Sequence, residues 1–445
     1  MYCIILGGFL LRLWCITDPF LHDWDERYHA LVAKNLIQNP LKPTLYIDPI
    51  LNYDFRQWAL NHVWLHKQPL SLWLISLSIH TFGNHEWVVR LPALILSTLS
   101  ILLTYRIALH FTETKQKALL VAFFQAINGY VIEIGTGRSA TDHVDTVFFF
   151  FIELAILCIV LHRERQRHIF IILTGVALGL SFLTKSFPAL IVVLIYGILN
   201  IRDKPYKTLI INVLWIVGIA SLIYAPWQFY IFKNFPQEAQ YENQYNLEHL
   251  FTALEGQSGA WWFYIDYARR VWNELIFGVF TWFLIYLYYH KNNLKLWALF
   301  AWIVVPYAFF SMVVTKMWGY VLFTAPAIFM IEALCVWHIA YHYTKFYRWR
   351  QALIYIFILL TIRYCYERVF PFPTENYTKQ VQFAQNVKDL SKQLSKTEKN
   401  VIFGVENYVA CMFYHNGTAA YPFVPEQTVL DSLKQEKYHI IVVRN

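Results

Sequence analysis

The chain has 445 residues, 57% of them hydrophobic and 15% charged, with a formal net charge of +8. A soluble domain carries about 25% charged residues, so this composition excludes an ordinary water-soluble globule and asks for lipid as solvent. It also argues against nucleic acid as a partner: the Lys and Arg residues sit in short clusters between apolar runs, as in cytoplasmic loops, and not on one basic face.

In chain order, the runs long enough to span a bilayer, or nearly so, are 1–16, 90–111, 117–134, 144–161, 168–183, 186–200, 208–231, 267–289, 294–314, 317–339 and 350–369. The first opens on Met1-Tyr2-Cys3 without a basic leading segment, so no cleavable signal is expected. It is short for a span, which leaves room for a start upstream. The segment 68–82 is apolar too, but counting it as a span inverts every later loop. It is therefore expected to lie in the interface as an amphipathic helix, with Trp73 at headgroup level.

Alternate connections then carry the basic residues: Arg106, Lys115 and Lys117; Arg163, Arg165 and Arg167; Arg202, Lys204 and Lys207; Lys291 and Lys295; Lys345, Arg348 and Arg350. With residue 1 cytoplasmic, all of these obey the positive-inside rule, and the opposite orientation violates it each time. Outer segments are then 17–89, 135–143, 184–186, 232–266 and the tail 370–445. In the tail, 401–405 and 440–443 read as strands around a helix at about 426–436.

The expected fold is an all-α polytopic membrane protein of about eleven transmembrane helices with a small C-terminal α/β extracytoplasmic domain. Its parts are a transmembrane domain over 1–369 and the outer domain over 370–445. The six cysteines have no metal-site spacing. A Cys365–Cys411 disulfide is open to the chain, with free buried thiols the simpler reading.

Ionisable residues near a membrane are costly and mark function by default. Most unusual ones fall at the expected outer ends of spans: Asp23, Asp25, Glu26, Arg27, His66, Lys67, Arg90, Arg138, Asp142, Asp145, Lys185, Lys316 and Tyr320. Asp23 and Glu26 have the spacing of a capping box. Asp25 is left over, on one helix face with Tyr28 and His29, and is a candidate base. Lys67 reads as an interfacial anchor or a ligand for an anion. His66 reads as a lone histidine or a metal ligand. Arg138 with Asp142 reads as a helix-closing pair or part of a site. Lys185 and Lys316 on the outer face run against the inside bias, which favours a bound anion.

In order along the chain, Asp25-Glu26 with Tyr28, Lys67-Gln68-Pro69-Leu70 with Trp73, Phe82-Gly83, Arg90-Leu91-Pro92, Arg138 to Asp142, Gly179 to Lys185, and Lys316 to Tyr320 with Pro326 form a series. The series resembles the GT-C glycosyltransferases of the protein O-mannosyltransferase and aminoarabinose-transferase kind (glycosyltransferase family 39-like), over about residues 1–340. Gln68 and Ser186 depart from that pattern, and His66 stands where relatives carry an acid.

The resemblance implies a GT-C fold and transfer of a sugar from a polyprenyl-phosphate-linked donor to an acceptor hydroxyl outside a bacterial inner membrane, with inversion. It implies Asp25 as base, with Glu26 and Asp142 as further catalytic groups or ligands of a divalent metal ion, alongside His66. It implies Lys67, Arg90, Arg138, Lys185, Lys316 and Tyr320 as the donor-phosphate set. The acceptor, whether protein, lipid or glycan, stays open. A transporter is the rival reading, but transporter sites usually lie at the midplane between internal repeats, and neither is visible here. A non-catalytic membrane scaffold is the third.

Overall fold

The computed structural model describes residues 1–138, 143–185, 187–342, 345–369 and 375–443. It is mostly helical, with one three-stranded sheet. The chain divides into two units. The first comprises 1–15, 93–234 and 243–371, and the second 16–92, 235–242 and 372–445. The segment 17–89, expected as an outer loop, falls in the same unit as the tail beyond residue 371.

The first unit is built of apolar helices. Among the described residues, five helices are long and apolar enough to cross a membrane, or seven if each of two bent pairs counts as one span. The five are Glu86–Thr112, His143–Arg165, Tyr206–Asn234, Leu294–Met312 and Trp318–His342. Burial separates core from periphery: 94% of the apolar window of Trp318–His342 is buried, against 17% for Tyr206–Asn234. A helix that is apolar all round yet unburied is one whose solvent is lipid.

Helices in lipid gain little from the hydrophobic effect and associate by close packing. Gly175 and Gly179, four residues apart on helix Ile169–Phe182, do this against helix Tyr206–Asn234. A Cβ on Gly175 would lie 2.8 Å from Ile219 Cβ, and one on Gly179 would lie 2.8 Å from Ile223 Cβ. Only hydrogen fits at either point.

Some buried polar groups inside this unit find local partners, as lipid favours. Arg12, fully buried, donates to Ser97 Oγ (2.8 Å) and to the carbonyls of Gly8 (3.0 Å), Ala126 (2.9 Å) and Gln125 (3.1 Å). Its guanidinium thus covers carbonyls at the end of helix Lys115–Ile127, where a 51° bend leads into Gly129–Gly135. The second bend, 107° between Phe263–Val271 and Ile276–Tyr289, holds Asn273, whose amide donates to buried Glu332.

The second unit contains the helix Asp25–Leu36, the interfacial segment and the tail. Pro69 opens the helix Pro69–Phe82 at its first position, where no amide donor is needed. Gly83, at φ 87°, closes it by donating its N–H to the Ile79 carbonyl (2.8 Å). At 14 residues the helix is short for a span.

The tail folds as expected into α/β structure. β1 (Lys399–Phe403), β2 (Thr418–Tyr421) and β3 (Tyr438–Val442) form a parallel sheet in the order β2-β1-β3. Helices Tyr408–Tyr414 and Gln427–Gln435 make the crossovers that parallel pairing demands. Val401, Ile402 and Phe403 of the central strand bury with Leu31, Val32, Trp64, Leu72 and Met412 in one core. All six cysteines are free thiols and all but Cys3 are buried.

Candidate active site

The head of helix Asp25–Leu36 differs from the expected capping box. Its N-cap is Trp24, held at φ 63°, and among the described residues no side chain caps it. Asp23 instead pairs with Arg27 and accepts a hydrogen bond from Gln380. With Trp24 at positive φ, the chain enters the helix one residue later than a cap at Asp23 would require.

Glu26 is also not where a reacting acid would be. It is buried, and both its oxygens are held by Arg90: Nε to Oε1 at 2.6 Å and Nη2 to Oε2 at 3.1 Å. His22 adds its ring nitrogen and its backbone N–H to Oε2, each at 2.6 Å. Arg90 in turn donates to the carbonyls of Ile16 (3.0 Å), Asp18 (2.8 Å) and Phe20 (2.5 Å). Every nitrogen of Arg90 is thus engaged, and the residue is 0% exposed. The assignments of Arg90 to a donor phosphate and of Glu26 to catalysis are corrected: together they pin the segment 16–22 to the start of helix Glu86–Thr112.

Asp25, one residue earlier, points differently. It lies in the first turn of its helix, where the helix dipole favours a carboxylate. Its Oδ1 stands 3.5 Å from Lys67 Nζ, and the two side chains are 25% and 19% exposed. The pair is reachable from solvent and still close enough for strong coupling. His66, next to Lys67, holds its Nδ1 3.1 Å from Glu242 Oε2. Asp25, Glu26, His66, Lys67 and Arg90 all belong to the second unit.

The metal assignment to His66 and Glu26 does not fit the residues present. Glu26 is committed to a guanidinium and His66 to Glu242. Among the described residues, no group of three or more His, Cys, Asp or Glu side chains gathers where a metal ion could be held.

The first unit carries the other candidates. Lys185, at the end of helix Ile169–Phe182 and its following turn, forms an ion pair with buried Asp145 at the start of helix His143–Arg165. The Lys185 ammonium lies 4.7 Å from the centroid of the Tyr320 ring, so its positive charge faces the ring's electron-rich surface. Lys185, Asp145 and Tyr320 thus lie together.

Lys316 is spent differently. Its ammonium donates to the carbonyls of Phe310 (2.9 Å), Ser311 (2.8 Å) and Val313, closing the C-terminal end of helix Leu294–Met312. Burial pulls it below the ordinary lysine value. A lysine in this position complements the helix dipole, so its assignment to the phosphate is corrected to a capping role. Arg138 donates to the Val369 carbonyl at 2.8 Å. Asp142, with the rest of 139–142, lies outside the described residues.

Three contacts escaped the sequence reading. His22 was findable, since Asp18, His22 and Glu26 repeat at four-residue spacing and interact at that spacing. Glu242, against His66, and the ion pair of Arg368 with Glu133 join residues far apart in the chain. No local signal marks them.

Residues 66–230 match the family model described as dolichyl-phosphate-mannose-protein mannosyltransferase. The chain is 28% identical over 332 residues to an undecaprenyl phosphate-alpha-4-amino-4-deoxy-L-arabinose arabinosyl transferase from Pectobacterium atrosepticum, covering 70% of this chain and 54% of that protein. A Pseudomonas aeruginosa protein of the same name is 26% identical over 268 residues, covering 58% and 47%. The chain thus spans about half the length of these relatives.

Among solved structures, ArnT from Cupriavidus metallidurans bound to undecaprenyl phosphate is similar with a TM-score of 0.70 and 11% identity, over 99% of this chain and 89% of that one. The archaeal oligosaccharyltransferase AglB from Archaeoglobus fulgidus is similar with a TM-score of 0.61 and 12% identity, over 95% and 64%. The resemblance drawn from the ordered motifs is borne out: this chain has the fold of the GT-C glycosyltransferases, and its sequence likeness falls on those that depend on a polyprenyl-phosphate-linked sugar.

Proposed function

We propose that the protein transfers a sugar from a polyprenyl-phosphate-linked donor to an acceptor hydroxyl, with inversion, on the extracytoplasmic face of a bacterial inner membrane. The observation that carries this reading is the Asp25–Lys67 pair, half open to solvent at a helix head. The named relatives supply the substrate class, since they are arabinosyl transferases and one solved neighbour holds undecaprenyl phosphate.

In this reading Asp25 takes the acceptor proton while the acceptor oxygen attacks the anomeric carbon from the face opposite the phosphate. The bond from that carbon to the phosphate oxygen breaks, and the polyprenyl phosphate leaves with the electron pair. Asp25 loses its negative charge on accepting the proton, which releases the Lys67 ammonium to oppose the charge growing on the leaving phosphate. Within the first unit, Lys185, which pairs with Asp145 and lies over the Tyr320 ring, and Arg138 are further candidate phosphate ligands by the same resemblance. Lys316, Arg90 and Glu26 keep the structural work their contacts describe, and no step is assigned to a metal.

The isoprenoid tail has a fitting home in the first unit. A cavity of about 780 Å³ is lined by apolar side chains including Trp261, Trp272, Phe277, Tyr307 and Ile328. A chain of repeated branched C5 units gains by leaving water for such a lining.

Eleven spans result if each bent pair is one span and Tyr2–Cys15, Ile169–Phe182, Phe187–Asn200 and Tyr347–Val369 also cross. The positive-inside pattern then sets the orientation. Reporter fusions at Arg165 and Glu255 are expected on opposite sides of the membrane, and the same side for both defeats the topology.

For the activity itself, the protein in nanodiscs is given undecaprenyl-phosphate-linked sugars, and release of undecaprenyl phosphate is followed together with mass spectrometry of the acceptor fraction. Consumption of donor with a new glycosidic product is expected. An inert donor alongside solute flux in sealed vesicles would favour a transporter instead.

A further inference from the structure

Beside the Asp25–Lys67 pair, the second unit displays an aromatic surface that neither the proton transfer nor the phosphate uses. Trp58, on the short 3-10 helix Trp58–Leu60, is 42% exposed. Its ring is braced on two sides by rings that meet it edge-on: Tyr28 at 5.3 Å between centroids and His66 at 5.1 Å. Behind them Trp64, fully buried, stacks on Tyr28 at 6.2 Å and lies 5.6 Å from His66. Edge-to-face packing of this kind is favourable and fixes the ring planes. A partly exposed indole packed against neighbouring rings costs little further ordering when it receives a ligand.

The position of the ring is what gives this meaning. Tyr28 stands one helical turn beyond Asp25, on the same helix face. His66 immediately precedes Lys67, and its ring nitrogen engages Glu242 at 3.1 Å. The platform therefore combines an apolar surface, a polar rim of His66 and Glu242, and contact with neighbours of both members of the ion pair. A pyranose ring presents that same combination in reverse: a face of C–H groups bounded by hydroxyls. An extended peptide offers no such flat face.

We infer that Trp58 is the stacking platform for a sugar ring of the acceptor, so that the acceptor is a saccharide whose hydroxyl is presented to Asp25. The inference rests on the assignment of Asp25 as base, but its test does not require turnover. The whole protein in nanodiscs is probed by saturation-transfer NMR with methyl β-D-glucopyranoside and methyl N-acetyl-β-D-glucosaminide. Wild type is compared with Trp58→Phe, which keeps an aromatic face, Trp58→Leu, which keeps only apolar bulk, and Trp58→Ala.

Saturation should reach the ring C–H protons of at least one glycoside in wild type and in Trp58→Phe. It should weaken about tenfold in Trp58→Leu and Trp58→Ala, the size expected for loss of an aromatic contact. Three results overturn the inference: no transfer to either glycoside in wild type, equal transfer in Trp58→Leu and Trp58→Phe, or unchanged transfer in Trp58→Ala. A fourth overturns the acceptor assignment: displacement of the glycoside by a sugar-bearing polyprenyl phosphate but not by undecaprenyl phosphate, which would give the platform to the donor sugar. Failure of the transfer reading shows separately, as a donor that is never consumed while the glycoside still binds.

Discussion

Asp25 and Glu26 are consecutive carboxylates in one helical turn, each facing a basic partner, yet the two pairs have opposite characters. Glu26 and Arg90 are 2% and 0% exposed, and the guanidinium is saturated with carboxylate and carbonyl acceptors. Asp25 and Lys67 are 25% and 19% exposed, with 3.5 Å between charges. A buried pair with every donor used fixes geometry, and one partner cannot leave without stranding the other. A half-open pair can exchange partners, which is what proton transfer and phosphate departure require. Helical phase points the two carboxylates in different directions, because successive residues lie about 100° apart around the axis.

Substitution can break this contrast at either end, and the largest effect is expected on the buried side. Arg90→Ala leaves Glu26 uncompensated and three carbonyls without their donor, a cost of about 3–5 kcal/mol. Little folded protein should be recovered in detergent, judged by size-exclusion chromatography, and Arg90→Lys should rescue it poorly because an ammonium cannot fork. Folded, active Arg90→Ala protein would mean that the knot is dispensable.

Next comes the phosphate side. Lys67→Gln should fold and still lose about tenfold to a hundredfold in transfer rate, as expected for removal of one positioned charge donor. Lys185→Gln should do the same, with Asp145 then buried without its lysine and a lower melting temperature in addition. If Lys185→Gln reduces only stability, the residue belongs with Arg90 and not with Lys67.

A smaller effect concerns pH. Lys34 is half-buried, donates to the carbonyls of Met412 and Phe413 (2.8 Å each), and burial lowers it to about 8 from an ordinary 10.5. Between those values the unfolded chain binds the proton that the folded chain lacks, so stability rises with pH from about 8 upward. Neighbouring Cys411, pushed up by burial to about 12 from 9.0, works in the opposite sense above pH 9. The clean window is pH 8 to 9, where the gain should reach about 1 kcal/mol and vanish in Lys34→Met. Thermal melts at pH 8.0, 8.5 and 9.0 read it directly.

Much of the membrane unit was legible because apolar runs and loop charge are local signals. The helix over 69–82 was legible for the same reason, with Pro69 at its start and Gly83 at its end. The strand read at 401–405 lies two residues earlier, at Lys399–Phe403, and the one read at 440–443 runs from two residues earlier, at Tyr438–Val442. β2 went unread: Thr418–Tyr421 is four residues, buried throughout, and so has no alternation to see. Asp25, Lys67 and Lys185 stood out in the sequence by being charges where charges are costly. Sequence set Asp25 apart from Glu26 only through a capping box that the structure does not form, and it did not separate Lys67 from Arg90. That distinction depends on which backbone carbonyls converge on a guanidinium, and those come from residues 16–20, some seventy positions away.

The central claim is that Asp25 is the base. Its most direct test is single-turnover transfer in nanodiscs with Asp25→Asn and Glu26→Gln side by side, with binding of the donor measured in the same samples. Asp25→Asn should bind the donor as wild type does, keep its melting temperature, and transfer sugar about 10²- to 10⁴-fold more slowly. Glu26→Gln should show its deficit in melting temperature, with the surviving folded fraction still active. Wild-type transfer by Asp25→Asn would contradict the account.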